Sequence, residues 1–143
     1  MTVKEWLNRG WELDKEINQL LQSQREALTR ATKTTCTSAD EKVQTSKNNT
    51  TENKFVSYAE YSDMADKRID ELYEIKKEIL AAVKELEDST LRTLLIARYI
   101  NFKTWEQIAA EMHYSYKHTV HILHPKALLK LKDVIECNIG QVL

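Results

Sequence analysis

All four histidines of the chain lie between residues 113 and 124, close to Lys117. The last three, His118, His121 and His124, advance by three residues and would spread over roughly 120° of a helix surface. Zinc sites on helices usually place two ligands four residues apart, and no Cys, Asp or Glu stands at a matching spacing here. The pattern therefore favours contacts with phosphates or bases over a metal site, and a neutral surface role stays open.

The residues just before the histidines predict two short helices joined by a tight turn. Thr104 and Gln107 have the spacing of a capping box, in which the threonine caps the helix while the glutamine reaches back to the N–H of the cap. Ser115 is the next predicted cap, so "HY" between the two helices is the turn. Ala109 is the small residue expected where the helices cross closely. Together these features predict a helix-turn-helix.

The stretch "LLIARYINFKTWEQIAAEMHYSYKHT" resembles the helix-turn-helix in the fourth region of sigma-70-type bacterial sigma factors. It is still more similar to a family of small proteins encoded by phages and prophages of Gram-positive bacteria, which carry an N-terminal helical pair, a variable polar loop, and then "RYINFKTWEQIA" and "YSYKH" motifs. The resemblance implies a phage-encoded, sequence-specific DNA-binding transcription regulator of the ArpU type. The implied partners are double-stranded DNA and host RNA polymerase.

Two positions depart from the family pattern. The turn position after Met112 is usually glycine because the backbone there is left-handed, and here it is His113, which tolerates positive φ with some strain. Inside a continuous helix Pro125 would cost roughly 3 kcal/mol, because it removes a backbone hydrogen bond and clashes. We therefore expect the recognition helix to stop near His124 and Pro125 to open a further helix at its first position. The angle of that further helix stays open.

If the second short helix enters the major groove, its side chains near the start are the ones that reach base edges. Lys117 and Ser115 suit phosphates, as do the N–H groups at the helix start. His124 and Lys130 would extend the backbone contacts. The candidate DNA-binding residues are Lys103, Thr104, Ser115, Tyr116, Lys117, His118, His121 and Lys126. Five lysines against two glutamates between residues 103 and 132 make this region a mild positive patch.

The composition favours an all-α protein. The 143 residues include two glycines and one proline, and 30% of them are charged. The net charge of −1 excludes a strong attraction of the whole protein to nucleic acid, so binding needs a local basic face. Cys36 and Cys137 are too far apart in sequence for a disulfide framework or a metal site. Neither a signal peptide nor an apolar run long enough to span a bilayer stands out, so we expect a cytoplasmic protein without membrane contact.

Two heptad patterns predict long helices at residues 3–31 and 57–88. In the first helix the repeating positions are Trp6, Leu13, Leu20 and Ala27, with Gly10, Ile17, Gln24 and Ala31 as a second seam. In the second helix they are Ala65, Leu72, Ile79 and Leu86. Ser57 and Glu60 have the spacing of a capping box at its start. Gly10 either lets the partner helix approach closely or weakens the first turns.

The tract at about 32–54 is rich in Thr, Ser, Asn and Lys and predicts a mobile polar loop. Two long helices joined by a loop most simply form an antiparallel, coiled-coil-like hairpin over residues 1–88, followed by a helix-turn-helix domain over residues 89–143. The alternative is that the long helices pair between chains, as in a homodimer.

The sequence holds no Gly-rich phosphate loop, no metal triad, and no nucleophile with an adjacent base, so we expect neither an enzyme nor a cofactor. Two other functions compete with transcription regulation. A DNA-packaging component similar to a small terminase subunit would also join a helix-turn-helix to an oligomerising helical part. A protein-binding adaptor would keep the helix-turn-helix as a packing unit without DNA contact.

Overall fold

A computed structural model describes the backbone of residues 1–36 and 44–142 and the side chains of residues 1–32 and 55–138. Within these residues the regular structure is helical, without a strand, so the all-α prediction is confirmed. The long helices α1 (Val3–Cys36) and α2 (Gln44–Val83) come first, and α1 packs against α2. The later helices are α3 (Ser89–Leu95), α4 (Trp105–Met112), α5 (Tyr116–His118) and α6 (His124–Val142). Two π-helical segments, Ile96–Ile100 and Thr119–Leu123, follow α3 and α5.

Many of the heptad positions of the long helices are buried, as predicted, while Trp6, Leu13 and Leu20 are half-buried. Ile17, Ala27 and Ala31 are buried on α1, and so are Ala65, Leu72, Ile79 and Leu86 on α2 or just after it. Side chains that recur every seven residues stay on one side of a helix, so they can be buried together.

The predicted polar loop at about 32–54 is helical over much of its length. Residues 32–36 continue α1, and residues 44–54 open α2, so the predicted helix start and capping box at Ser57 and Glu60 are wrong. Once a helix is nucleated, each added residue gains a hydrogen bond, and a polar segment can extend it without burying apolar surface. Residues 37–43 lie outside the described part of the chain.

The chain divides into two compact units. One consists of Leu13–Glu71, and the other combines Met1–Glu12 with Leu72–Leu143. The boundary predicted between residues 88 and 89 lies inside the second of these, which we call the C-terminal unit. The core of this unit draws side chains from the start of α1, the end of α2 and every later helix except α5. Its fully buried members include Leu7, Ile79, Val83, Leu94, Leu95, Tyr99, Ile108, Ala127 and Leu131.

In the other unit, Leu13–Glu71, polar contacts accompany the buried heptad positions. Gln24, the polar member of its seam, donates from Nε2 to Oγ of Ser62 at 2.7 Å. Arg68 Nε lies 3.1 Å from Oε1 of Glu16. The Gln24 contact shows how a polar heptad position is accommodated, because its amide has a partner and is not left unsatisfied.

The helix is interrupted at residues 84–88, between α2 and α3. Asp88 is the N-cap of α3, and its side chain accepts a hydrogen bond from the N–H of Thr90 at 2.9 Å. The guanidinium of Arg92 donates to the carbonyls of Leu86 and Glu87, which lie at the end of the preceding helical turn. These bonds provide partners for one backbone N–H at the start of α3 and for two carbonyls just before it.

The helix does not stop before Pro125, so that prediction is wrong. The backbone is helical at Thr119 and at His124, and α5, the π-helical segment and α6 follow one another without a non-helical residue. Within the π-helical segment the N–H of His124 donates to the carbonyl of Thr119, five residues back. This wider turn directly precedes the proline, which can give no N–H and crowds the carbonyl of His121 in a regular α-helix.

Candidate nucleic-acid interface

The connector between residues 101 and 104 sets the start of α4. Phe102 has a positive φ of 55°, and its ring lies edge-on to that of Trp11 with centroids 5.5 Å apart. Lys76 Nζ lies 5.0 Å from the centre of the Phe102 ring. Aromatic and cation–π contacts thus hold Phe102 in a backbone conformation that a bulky residue rarely adopts.

Arg98 fixes the same connector from its other side. Its guanidinium lies 4.2 Å from the ring centre of Trp11 and 4.7 Å from that of Trp105. Its Nη1 donates to the carbonyl of Lys103 at 3.0 Å. Burial lowers the pKa of Arg98 from its ordinary value. Nothing in the local sequence pattern points to this stack, because Trp11 is more than 80 residues away along the chain.

The capping box predicted at the start of α4 is confirmed. The N–H of Gln107 donates to Oγ1 of Thr104 at 3.3 Å, and the N–H of Thr104 donates to Oε1 of Gln107 at 3.1 Å. Two backbone donors at the helix start are therefore satisfied by neighbouring side chains. The side chain of Thr104 caps α4, and its hydroxyl oxygen already accepts the hydrogen bond from the Gln107 N–H.

The turn after α4 has the left-handed backbone expected from the pattern. His113 has φ 60° and ψ 36°, and the N–H of Tyr114 donates to the carbonyl of Ala109 at 3.0 Å. Ala109 is buried, as predicted for the inner face of α4. Since histidine can occupy this region at modest cost, the absence of glycine does not prevent the turn.

Ser115 caps the next helix, as predicted. Its Oγ accepts from the N–H of His118 at 3.1 Å, and its carbonyl accepts from Oγ1 of Thr119 at 2.9 Å. The rings of His118 and Tyr114 stack with centroids 5.1 Å apart, and His118 is half-buried. His118 therefore braces the turn more than it faces outward.

The other predicted contacts divide into exposed and engaged side chains. Tyr116 is 48% exposed, and Lys117, His121 and Lys126 are exposed as well. Lys103 is half-buried, and its Nζ lies 2.8 Å from Oε2 of Glu111. The sequence reasoning missed Glu111 as a partner of Lys103, because the two residues are eight apart along the chain.

His124 is not a phosphate contact, so this expectation is wrong. It is 7% exposed, its Nε2 lies 2.6 Å from the Tyr99 hydroxyl, and its ring centroid lies 4.6 Å from that of Trp105. Burial lowers the pKa of His124 to about 4, and the positive charges of Lys4 and Arg98 act in the same direction. The π-helical turn just before His124 changes the side of the helix on which it lies.

The exposed lysines that remain lie along the second helix, and two of them, Lys126 and Lys130, line a groove with four carboxylates, those of Glu85, Glu87, Asp88 and Asp133. Residues 113–132 include Lys117, Lys126, Lys130 and Lys132 and no Asp or Glu. No group of three or more His, Cys, Asp or Glu that could hold a metal ion is present among the described residues. Across those residues, no helix is long and apolar enough to cross a membrane. The exposed lysines of residues 113–132 are suited to hydrogen bonds and ion pairs with phosphate oxygens.

Comparison with known proteins gives no relative, since no family model, no curated protein and no solved structure matches the chain.

Proposed function

We propose that the chain is a DNA-binding transcription regulator that reads double-stranded DNA with a helix-turn-helix made of α4, the turn at His113 and the helix that begins at Tyr116. The observation that carries the proposal is the sequence of a capped helix, a left-handed turn and a second capped helix, with Ala109 buried between them. In this arrangement the second helix is the one that enters the major groove.

The charge of the second helix supports the proposal. Lys117, His121 and Lys126 are exposed on it, and its first 17 residues, 116–132, contain no carboxylate. A duplex carries one negative charge for every 1.7 Å or so of its length, so a local run of lysines is attracted to it even though the whole chain carries almost no net charge.

The long helices are proposed to form an antiparallel hairpin that dimerises or contacts host RNA polymerase. Two contacts within the unit Leu13–Glu71 support the antiparallel direction: Glu16 pairs with Arg68, and Gln24 bonds to Ser62. Residue numbers rise along α1 while they fall along α2. A role in phage transcription rests on the resemblance of residues 91–128 to sigma-like phage proteins.

A salt titration of DNA binding tests the proposal. Fluorescence anisotropy of a labelled duplex is measured from low to physiological salt with the wild type, Lys117→Ala and Lys84→Ala. Lys84 is exposed just after α2 and provides a matched lysine outside the second helix. We expect Lys117→Ala to weaken binding and to reduce the slope of log K against log salt by about 0.9, the value for one lost phosphate contact. Lys84→Ala should bind as the wild type does.

Two outcomes would refute DNA reading by this helix. One is the absence of salt-sensitive binding at low ionic strength, and the other is an equal effect of both lysine substitutions. A Lys117→Glu variant with unchanged nucleic-acid behaviour would favour the adaptor.

The step at which the protein acts is tested in its host. Chromatin pull-down of the tagged protein should recover promoter regions if it regulates transcription. The mass in solution separates the remaining alternative, since a ring of many subunits supports DNA packaging while a monomer or dimer supports transcription regulation.

A further inference from the structure

Two large aliphatic side chains lie exposed on the helical stretch that runs from residue 116 through α6. Ile122 is 55% exposed, and Leu129 is 66% exposed. Single exposed apolar residues are common on protein surfaces, so exposure alone assigns them no role. Ile122 differs in its position, because it lies in the π-helical segment just after the exposed His121.

The π-helical segment determines which way Ile122 points relative to Lys117. In a regular α-helix a residue five positions after Lys117 would be rotated by about 140° from it. The i→i+5 turn at Thr119–Leu123 holds one extra residue per turn and so reduces this rotation. Thr119 and His124 on either side are buried, whereas His121 and Ile122 are exposed. Ile122 is thus brought toward the cationic side of the helix.

The chemistry beside Ile122 fits a duplex. Lys117 is exposed on the same helix before Ile122, and residues 116–132 of that helix contain no carboxylate. Lys126 is exposed after Ile122 and lines a groove that also holds carboxylates, those of Glu85, Glu87, Asp88 and Asp133. Among the base edges in the major groove, thymine alone offers an apolar group, its C5 methyl, while the rest is donors and acceptors. An aliphatic side chain between lysines can bury its surface against that methyl while the lysines pair with phosphates.

We propose that Ile122 is a specificity-determining residue that recognises thymine through its C5 methyl group in the major groove. This inference rests on the proposed DNA-binding function. It names the base, thymine, that the second turn of the helix recognises.

The replacement of thymine by uracil in a bound site tests the proposal, because it removes that methyl and leaves base pairing intact. A preferred site is first selected by the wild-type protein from a random duplex library. Each thymine of this site is then changed singly to uracil, and the affinity is measured again. We expect one thymine position per bound helix at which uracil weakens wild-type binding about fourfold, the effect of one methyl group left unburied.

Matched variants assign this loss to Ile122. Ile122→Ala should bind the thymine and uracil sites equally at that position, whereas Leu129→Ala should keep the wild-type ratio. Ile122→Gln, which suits a helix and is polar, should also lose the ratio and serves if the alanine variant melts early. A wild-type ratio retained in the Ile122 variants, or a selected site without any uracil-sensitive position, overturns the proposal. An absence of all salt-sensitive DNA binding would instead remove the proposed function itself.

Discussion

The hydroxyl of Tyr99 lies 2.6 Å from Nε2 of His124 and joins the first π-helical segment to the first residue of α6. Burial raises the pKa of Tyr99 to about 12 and lowers that of His124 to about 4. Both shifts favour the neutral forms at neutral pH. With its own proton on Nδ1, the imidazole accepts the hydrogen of the tyrosine hydroxyl. The pair satisfies two buried polar groups in a core made mostly of apolar side chains.

This pair predicts a loss of stability in mild acid. His124 has a pKa of about 4 in the folded state and an ordinary value of 6.5, so the unfolded chain binds more protons between these pH values. The contribution to stability is complete above pH 6.5 and is lost as the pH falls toward 4. The full difference of about 2.5 pKa units amounts to about 3.5 kcal/mol, since one pKa unit corresponds to about 1.4 kcal/mol. Urea denaturation at pH 7, 5.5 and 4.5 measures it.

His124→Gln is the control for the acid prediction. Glutamine cannot titrate, and its amide can still bond to the Tyr99 hydroxyl. We expect its free energy of unfolding to fall less steeply with pH than that of the wild type. Identical slopes would show that the carboxylates, and not His124, determine the response to acid.

At position 98 we expect that lysine cannot replace arginine without a loss of stability. The planar guanidinium of Arg98 lies between the rings of Trp11 and Trp105 and donates to the Lys103 carbonyl. Lysine keeps the charge but loses the stacking surface and the fixed donor geometry. We expect Arg98→Lys to lower the free energy of unfolding by about 1–2 kcal/mol, as judged from cation–π and charged hydrogen-bond energies. Arg25→Lys, on an exposed α1 position, should change it by less than about 0.5 kcal/mol.

Gly10→Ala is expected to stabilise the protein. A methyl group at this position would lie 3.5 Å from Cδ1 of Leu72 and from Cζ of Phe102, which is ordinary van der Waals contact. The close approach of a neighbouring backbone is therefore not what requires glycine here. Alanine restricts the unfolded chain and favours the helix, so a gain of about 0.5–1 kcal/mol should appear in thermal or urea denaturation. A loss of stability would mean that the contacts at Leu72 and Phe102 cannot adjust.

The ion pair between Glu111 and Lys103 lies outside the second helix, and we expect it to affect nucleic-acid binding. The Glu111 carboxylate holds Lys103 Nζ at 2.8 and 2.9 Å, so this lysine is partly neutralised. Glu111→Gln should release Lys103 for phosphate contact and strengthen DNA binding several-fold at low salt, with a salt slope steeper by up to about 0.9.

Glu106→Gln is the matched control for Glu111→Gln. It removes the same charge from the same helix without touching the ion pair, because Glu106 is exposed on the first turn of α4. We expect Glu106→Gln to increase DNA affinity less than Glu111→Gln does, because it only removes one negative charge that repels the phosphates. Equal gains for the two variants would show that Lys103 contacts no phosphate.

The local elements of the C-terminal unit could be predicted from the sequence. The caps at Thr104 and Ser115 and the left-handed turn at His113 all depend on groups within about four residues of one another. Such groups meet whatever the rest of the chain does, because helix geometry fixes their distances. The heptad burial on α1 and α2 followed from the same periodicity. The composition of residues 32–54 was a weaker guide, since polar residues can extend a helix that is already formed.

Contacts between distant residues, and one change of helical register, had to come from the tertiary structure. Spacing placed His124 and His121 alike as outward candidates, yet the π-helical turn buries the first against Tyr99 and leaves the second exposed. The amino-acid sequence by itself determined the class of fold, the capped short helices and a lysine-rich stretch without carboxylates. The tertiary structure alone decided which of those side chains face solvent, because an extra residue in one turn and a partner 25 residues away leave no periodic trace in the chain.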